Sequence, residues 1–228
     1  MRGTHLTPPR GLIVSCQSAE GEPLYGLGLM RYMARAAVEG GAVAIRALAE
    51  EIPAIREEVK VPVIGLVKRA YADSEVYITP TCKEIDEVIL SGADVVAMDV
   101  TGRPRPDGVS TEELIAYAKE RDPAILLMAD CDTLQNALEA DALGFDFVGT
   151  TMRGYTSATQ GISIPDYGFL HELKKRLNYA KLIAEGGIWE REQLARVLEA
   201  DPYAVVIGSA ITRPKNITQR FTELFDRL

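Results

Sequence analysis

Eight short apolar runs recur along the chain, at residues 12–17, 43–46, 63–68, 95–99, 125–130, 145–150, 182–185 and 204–209. They are almost continuously apolar, the pattern of strands buried on both faces of a parallel sheet. Between them lie amphipathic stretches of helical length, near 29–39, 49–59, 83–91, 133–143, 167–177 and 190–198, with further helices opening near Ser110 or Thr111 and at Pro214. Local signals mark the joints. Gly40-Gly41, Gly92 and Gly144 follow helical stretches, where a left-handed residue stops a helix. Glu112 and Glu113 fall in the first turn after Ser110, at the positive end of the helix dipole. Pro62 opens the third run, where a missing N–H is tolerated. Every crossover is long enough for a helix, so the strands should run parallel. Eight β/α units in 228 residues predict a (β/α)8 TIM barrel, a fold of roughly 250 residues that can shrink to ~200.

In that fold the active site gathers at the C-terminal ends of the strands. The runs end on Gln17, Arg46, Lys68, Asp99, Asp130, Thr150, Glu185 and Ser209. These form one list of candidate chemistry drawn from the whole chain. Two loops on that face are long. Residues 69–81 carry Tyr71, Asp73 and Tyr77, and residues 151–165 are rich in Gly, Ser and Thr. Either has the length of a lid.

Composition narrows the class without changing the fold. A chain that is 47% hydrophobic and 25% charged reads as an ordinary globular protein. A net charge of −8 speaks against nucleic acid as a partner. No apolar run approaches the ~20 residues of a membrane span. Cys16, Cys82 and Cys131 form no close-spaced metal or redox motif and read as reduced thiols. Residues 1–10 are polar, with no apolar signal core. They are expected to be an N-terminal arm to a single catalytic domain at 11–228, in a cytoplasmic protein.

The loops after strands seven and eight often bind phosphate in such barrels. Here they read Ala184-Glu185-Gly186-Gly187 and Ile207-Gly208-Ser209-Ala210. Glycines let backbone N–H groups approach an anion. A short helix from Ser209 would aim its N-terminus at the same place, and Arg213 could add a two-pronged contact. Gly186, Gly187, Gly208, Ser209 and Arg213 are therefore the phosphate candidates, against the plainer reading that the glycines only make tight turns.

Lys68 ends an otherwise apolar run, and Arg46 ends the neighbouring one. The plain reading of Lys68 is a lysine that snorkels to solvent. Partial burial beside a cation would instead lower its pKa and make a neutral base near pH 7. A Schiff-base amine is the other chemical use. Glu185 either neutralises Lys68 or Arg46, or serves as an acid/base or orienting carboxylate. Asp130 and Asp99 suit sugar hydroxyls, and Asp99 could equally cap the loop after it. Gln17 suits a hydroxyl or an amide. The two histidines, His5 in the arm and His171 on a helix, end no strand. Neither a histidine-held metal nor a Ser-His or Cys-His nucleophile is expected. A site built from carboxylates alone would still suit Mg2+.

Taken in order, seven segments resemble one family. They are Gly11-Leu-Ile-Val-Ser-Cys-Gln17, Ala44-Ile-Arg46, Pro62-Val-Ile-Gly-Leu-Val-Lys68-Arg69, Tyr77-Ile-Thr-Pro-Thr81, Met128-Ala-Asp130, Ala184-Glu-Gly-Gly-Ile188 and Val206-Ile-Gly-Ser-Ala-Ile-Thr-Arg-Pro214. The ordered set resembles the bacterial N-acetylmannosamine-6-phosphate 2-epimerases, from Gly11 to the last helix. The resemblance implies a single-domain barrel of the ribulose-phosphate-binding type. It implies conversion of N-acetylmannosamine 6-phosphate to N-acetylglucosamine 6-phosphate in sialic acid breakdown, by a cytoplasmic homodimer without a cofactor. It also implies Lys68 as catalytic base, Glu185 as acid/base or orienting partner, and Gln17, Arg46, Asp130 and Arg213 as substrate-site residues.

The chemistry agrees with the strand-end residues. Epimerising C2 removes a proton next to the C1 carbonyl of the open-chain sugar and returns one on the opposite face. The enediolate-type intermediate needs positive groups near its oxygen, such as Arg46 and protonated Lys68. Bound phosphate would hold C2 against the base. Three other uses of such a barrel remain open. One is a Schiff-base aldolase acting through Lys68. Another is a different phosphosugar isomerase or epimerase on the same barrel, such as a pentose-phosphate 3-epimerase, which would be expected to hold a metal through strand-end histidines that this chain lacks. The third is a phosphosugar-binding barrel without turnover.

Overall fold

Eight parallel strands pair in chain order and close on themselves in the computed structural model, which describes residues 5–225. The first four residues of the expected arm and the last three of the expected domain lie outside the described residues. The strands are β1 (Gly11–Cys16), β2 (Ala44–Leu48), β3 (Val63–Leu66), β4 (Val95–Asp99), β5 (Leu126–Asp130), β6 (Phe147–Gly149), β7 (Lys181–Glu185) and β8 (Ala204–Ile207). Between them run α1 (Met30–Glu39), α2 (Ile52–Glu58, after a 3-10 turn at Ala49–Glu51), α3 (Cys82–Ser91), α4 (Thr111–Arg121), α5 (Leu134–Ala142), α6 (Tyr167–Arg176) and α7 (Arg191–Leu198). A short α8 (Ser209–Thr212) and α9 (Pro214–Thr222) follow β8. This is the (β/α)8 TIM barrel that the apolar runs predict.

The helices start where the sequence supplies caps. The Glu84 carboxylate accepts from the Thr81 N–H (3.0 Å) in a reciprocal cap on α3, and Ser110 and Glu113 do the same for α4 (3.1 and 2.8 Å). Gly65 on β3 is required by packing. A Cβ there would lie 2.8 Å from Ala93, Ile52 and Val88, side chains that seat α2 and α3 on the strand.

Alternation decides which side chain of each strand enters the barrel. Val14, Ile45, Val63, Val96 and Leu127 face the helices, while Ile13, Ile64, Val95, Met128, Phe147, Ile183 and Val206 fill the interior. Full burial of side chains this size stabilises by roughly 1.5–3 kcal/mol each. Stepping on by twos from the interior layer leads to Gln17, Arg46, Lys68, Asp99, Asp130, Thr151, Glu185 and Gly208. The same parity that packs the core therefore delivers a polar ring to the C-terminal mouth.

Several boundaries differ from the apolar runs; β6 covers only Phe147–Gly149 and β8 stops at Ile207, and three others bear on the site. β1 stops at Cys16 rather than Gln17, and β2 continues through Arg46 to Leu48. β3 stops at Leu66, short of Lys68. Past Leu66 the chain pairs with its own loop. The Val67 N–H donates to Thr79 Oγ1 (3.2 Å), the Arg69 N–H donates to the Tyr77 carbonyl (2.9 Å), and Lys68 bridges antiparallel to Ile78. Thr79 is fully buried at φ 45, and its hydroxyl donates to the Ala97 carbonyl at 2.6 Å. A β-branched residue at positive φ is strained. Here it fastens the long loop to β4, directly beside Lys68.

Candidate active site

The C-terminal ends of the strands enclose a cavity of about 550 Å³. Gln17, Arg46, Lys68, Glu185, Gly186, Gly187, Gly208, Ser209 and Arg213 all line it. Residues from both ends of the sequence thus meet in one place. Asp130 is the exception among the expected site residues. It is fully buried behind the cavity wall, with its carboxylate taken up by Arg46. Asp99 is also buried away from the cavity. It accepts from Thr101 Oγ1 (2.6 Å) and Arg103 (2.7 Å), while Arg105 donates to its carbonyl. It organises the loop after β4.

The centre of the site is a buried charge cluster. Arg46 donates to both oxygens of Asp130, at 2.9 and 2.6 Å, and stands 3.0 Å from Glu185. Burial works against the guanidinium charge, but Asp130 and then Glu185 outweigh it and raise the Arg46 pKa. Thr151 Oγ1 lies 2.6 Å from Asp130 and 3.0 Å from Glu185. Thr150 holds the Glu185 backbone, donating to its carbonyl (2.8 Å) and accepting from its N–H (2.9 Å). Glu185 is thus held at both its main chain and its carboxyl.

Lys68 and Glu185 are displaced in opposite directions. Lys68 is open to the cavity, yet the surrounding protein lowers its pKa below the usual lysine range. Loss of hydration is the largest cause, followed by the Arg46 and Arg213 cations, with Glu185 and Asp130 pulling the other way. Burial raises the Glu185 pKa and Asp130 adds to the effect, while Arg46, a hydrogen bond from Thr151 and Lys68 oppose it. Cavities that push an acid and a base toward each other in this way favour proton transfer near neutral pH.

The glycine loops occupy one side of the cavity. Gly186 and Gly187 lie at φ 115 and 71. A Cβ on Gly187 would fall 2.5 Å from the Ile164 carbonyl carbon and oxygen, so only glycine lets the long loop 151–165 lie against the loop after β7. Arg213 pairs with Glu22 at 3.2 Å. Arg220 lies over the Trp189 ring, 4.6 Å from its centroid, and both line the cavity.

Strand-end reasoning missed Thr151, Ser15, Tyr77, Trp189 and Arg220. The first two had a usable signal, because Phe147, Gly149 and Thr151 alternate, as do Ile13 and Ser15. Tyr77 comes in on the long loop after β3, and Arg220 comes from α9; neither position follows from periodicity. The histidines lie elsewhere. His5 Nε2 is 2.7 Å from Asp122 at the far end of the barrel, and His171 is exposed on α6. Among the described residues, no three His, Cys, Asp or Glu side chains gather as a metal-binding group.

A family model described as "Putative N-acetylmannosamine-6-phosphate epimerase" matches residues 30–227. A relative from Caldanaerobacter subterraneus subsp. tengcongensis is 50% identical over 92% of this chain and 89% of its own. One from Staphylococcus haemolyticus is 50% identical over 94% and 97%. Both carry the name "Putative N-acetylmannosamine-6-phosphate 2-epimerase". Among solved structures, the chain is similar to the N-acetylmannosamine-6-phosphate 2-epimerase from Clostridium perfringens, with TM-score 0.89 and 43% identity over 93% of this chain and 92% of that one. It also resembles orotidine 5'-phosphate decarboxylase from Pyrococcus horikoshii OT3, with TM-score 0.60 and 14% identity over 94% of this chain and 97% of that one, a likeness of fold alone.

Proposed function

The chain belongs to the N-acetylmannosamine-6-phosphate epimerase family, and on that premise we propose how its residues divide the reaction. It is an isomerase that interconverts N-acetylmannosamine 6-phosphate and N-acetylglucosamine 6-phosphate, in amino-sugar catabolism. Lys68 takes the C2 proton of the open-chain sugar. The C2–H electrons move toward the C1 oxygen, and Arg46 lends that oxygen positive charge. Glu185 assists ring opening or delivers a proton to the opposite face of C2. The backbone of Gly186, Gly187, Gly208 and Ser209, with Arg213, holds the 6-phosphate, and Gln17 holds a hydroxyl or the amide. Remote phosphate binding keeps C2 against the base. Proton transfer of this kind needs no redox cofactor.

The observation that carries this reading is the opposed pair itself. Lys68 with a lowered pKa and Glu185 with a raised one line one cavity, and the Arg46 guanidinium stands 3.0 Å from Glu185. Incubating N-acetylmannosamine 6-phosphate with the protein should produce N-acetylglucosamine 6-phosphate in the proton NMR spectrum. Folded protein that leaves the sugar unchanged overturns the assignment. Borohydride added with substrate should trap no imine, whereas a Lys68 adduct would favour the aldolase reading.

We place the enzyme in the cytoplasm, as a homodimer acting on a small phosphosugar, without nucleic-acid or membrane partners. The three cysteines are free thiols, as a reducing compartment keeps them. No helix among the described residues is long and apolar enough to cross a membrane. α9 buries none of its residues, and Phe221, Leu224 and Phe225 are exposed, a surface that a second copy would cover. Light scattering should give twice the chain mass, and a single-chain mass would contradict the dimer.

A further inference from the structure

Thr151 makes two short contacts that a single hydroxyl cannot make in the same way. Its Oγ1 is 2.6 Å from Asp130 Oδ1 and 3.0 Å from Glu185 Oε2. A hydroxyl has one proton to give and two lone pairs that accept. It donates to one carboxyl only. Both oxygens of Asp130 already accept from Arg46, a fork that matches a carboxylate. Asp130 is therefore the acceptor, and the shorter contact is the donated one. The contact to Glu185 then joins two oxygens with no hydrogen from Thr151 left for it.

We propose that Thr151 positions Glu185 as a proton donor: its hydroxyl donates a hydrogen bond to Asp130 and accepts one from the protonated carboxyl of Glu185. The inference rests on the epimerase reading, and it adds a residue that sets the resting state of the acid. The charged groups facing Glu185 are Arg46 at 3.0 Å, Asp130 through Thr151, and Lys68 in the cavity. Thr150 touches only the Glu185 main chain. Burial and Asp130 favour the acid form against Arg46 and Lys68, and a Thr151 hydroxyl that donated to Glu185 would side with the carboxylate; the direction of that one hydrogen bond is what the proposal reverses. During turnover the Glu185 O–H bond breaks and a bond forms from that hydrogen to the substrate. Thr151 then turns an oxygen lone pair toward a carboxylate, its O–H still directed at Asp130, which favours recovery of a proton by Glu185 in the reverse step.

The sign of one shift tests this. The limb of the kcat/KM profile that falls as Glu185 loses its proton should move to lower pH in Thr151→Val, by on the order of half to one unit, because the acid form loses its acceptor. kcat should drop about tenfold or more while KM stays within about threefold. Thr151→Ser should restore both. A limb that moves to higher pH would mean that Thr151 donates to a Glu185 carboxylate, and an unmoved limb would mean a packing role; either overturns the proposal. Infrared spectra of the resting enzyme at neutral pH supply a readout independent of turnover and of how Thr151→Val folds. They should show a protonated-carboxyl band that disappears in Glu185→Gln. Absence of that band overturns the Thr151 proposal alone, whereas a band in protein that leaves the phosphosugar unchanged overturns only the epimerase reading.

Discussion

The two ends of the barrel carry the same residue types in opposite arrangements. At the N-terminal end, Asp94 accepts from the Leu6 N–H (3.1 Å) and the Val63 N–H (2.9 Å), Asp146 from the Leu127 N–H (2.8 Å), and Asp141 from three successive N–H groups of Asn178, Tyr179 and Ala180 (2.9, 2.9 and 2.6 Å). Arg56 pairs with Asp94 there. At the C-terminal end, the carboxyls of Asp130 and Glu185 find their partners among the described residues in side chains, Arg46 and Thr151. The electrostatic outcome differs accordingly. Burial pulls the Asp141 pKa up, but the three N–H donors outweigh it and hold it below the usual range. Glu185 has no such backbone donors at its carboxyl among the described residues and is driven up by burial. A carboxylate fastened to backbone ties the chain together. Glu185, fastened to side chains beside a cavity, is instead placed to keep a proton that it can exchange.

The comparison would break first at Lys68. Lys68→Ala should cut kcat/KM by about 10²–10⁴ with the fold intact, and near-normal turnover would remove the chemistry from the upper end. Arg46→Met should cost both activity and stability. It leaves Asp130 and Glu185 buried without their cation, worth about 3–5 kcal/mol in urea unfolding. A variant that loses activity but no stability would show the cluster to be solvated rather than buried.

The lower end should respond in stability alone. Asp141→Ala removes the acceptor of three N–H groups and should lower the unfolding free energy by about 2–3 kcal/mol with kcat/KM unchanged. The pH dependence sharpens this. Asp141 has a folded pKa below its ordinary 3.8, so its contribution is fully present above that value and is lost as pH falls through the folded pKa. The stability gap between the protein and Asp141→Asn should narrow only below about pH 4. The smallest effect is expected at Gly187→Ala. A side chain at φ 71 against the Ile164 backbone must move the loop, raising KM for the phosphosugar about tenfold at most with a small loss of stability. An unchanged KM would detach that loop from phosphate binding.

The difference between the two ends also explains what the sequence made legible. Continuous apolar runs and glycine stops are local signals, so the eight units and their order could be read directly. The functional end was legible as far as strand parity carries, to Gln17, Lys68, Glu185 and Gly208. It failed where another segment bends the chain. Lys68 looked like the end of a strand, but it lies beyond β3 because the segment from Tyr77 to Thr79 captures it. Arg46 looked terminal and is inside β2. Asp130 looked like a substrate ligand and is buried under Arg46, a pairing across 84 residues that no periodicity announces. Thr151 was within reach of the same alternation that fills the barrel, one residue past the Thr150 on which the apolar run ends.

The most direct test of the account follows the C2 proton in D2O. N-acetylmannosamine 6-phosphate would be incubated with the protein and, separately, with folded Lys68→Ala, and both sugars followed by proton NMR. The account predicts N-acetylglucosamine 6-phosphate carrying deuterium at C2 with the unaltered protein, and no exchange at C2 with Lys68→Ala. Exchange by Lys68→Ala at the unaltered rate would contradict it, because some group other than Lys68 would then be taking the proton.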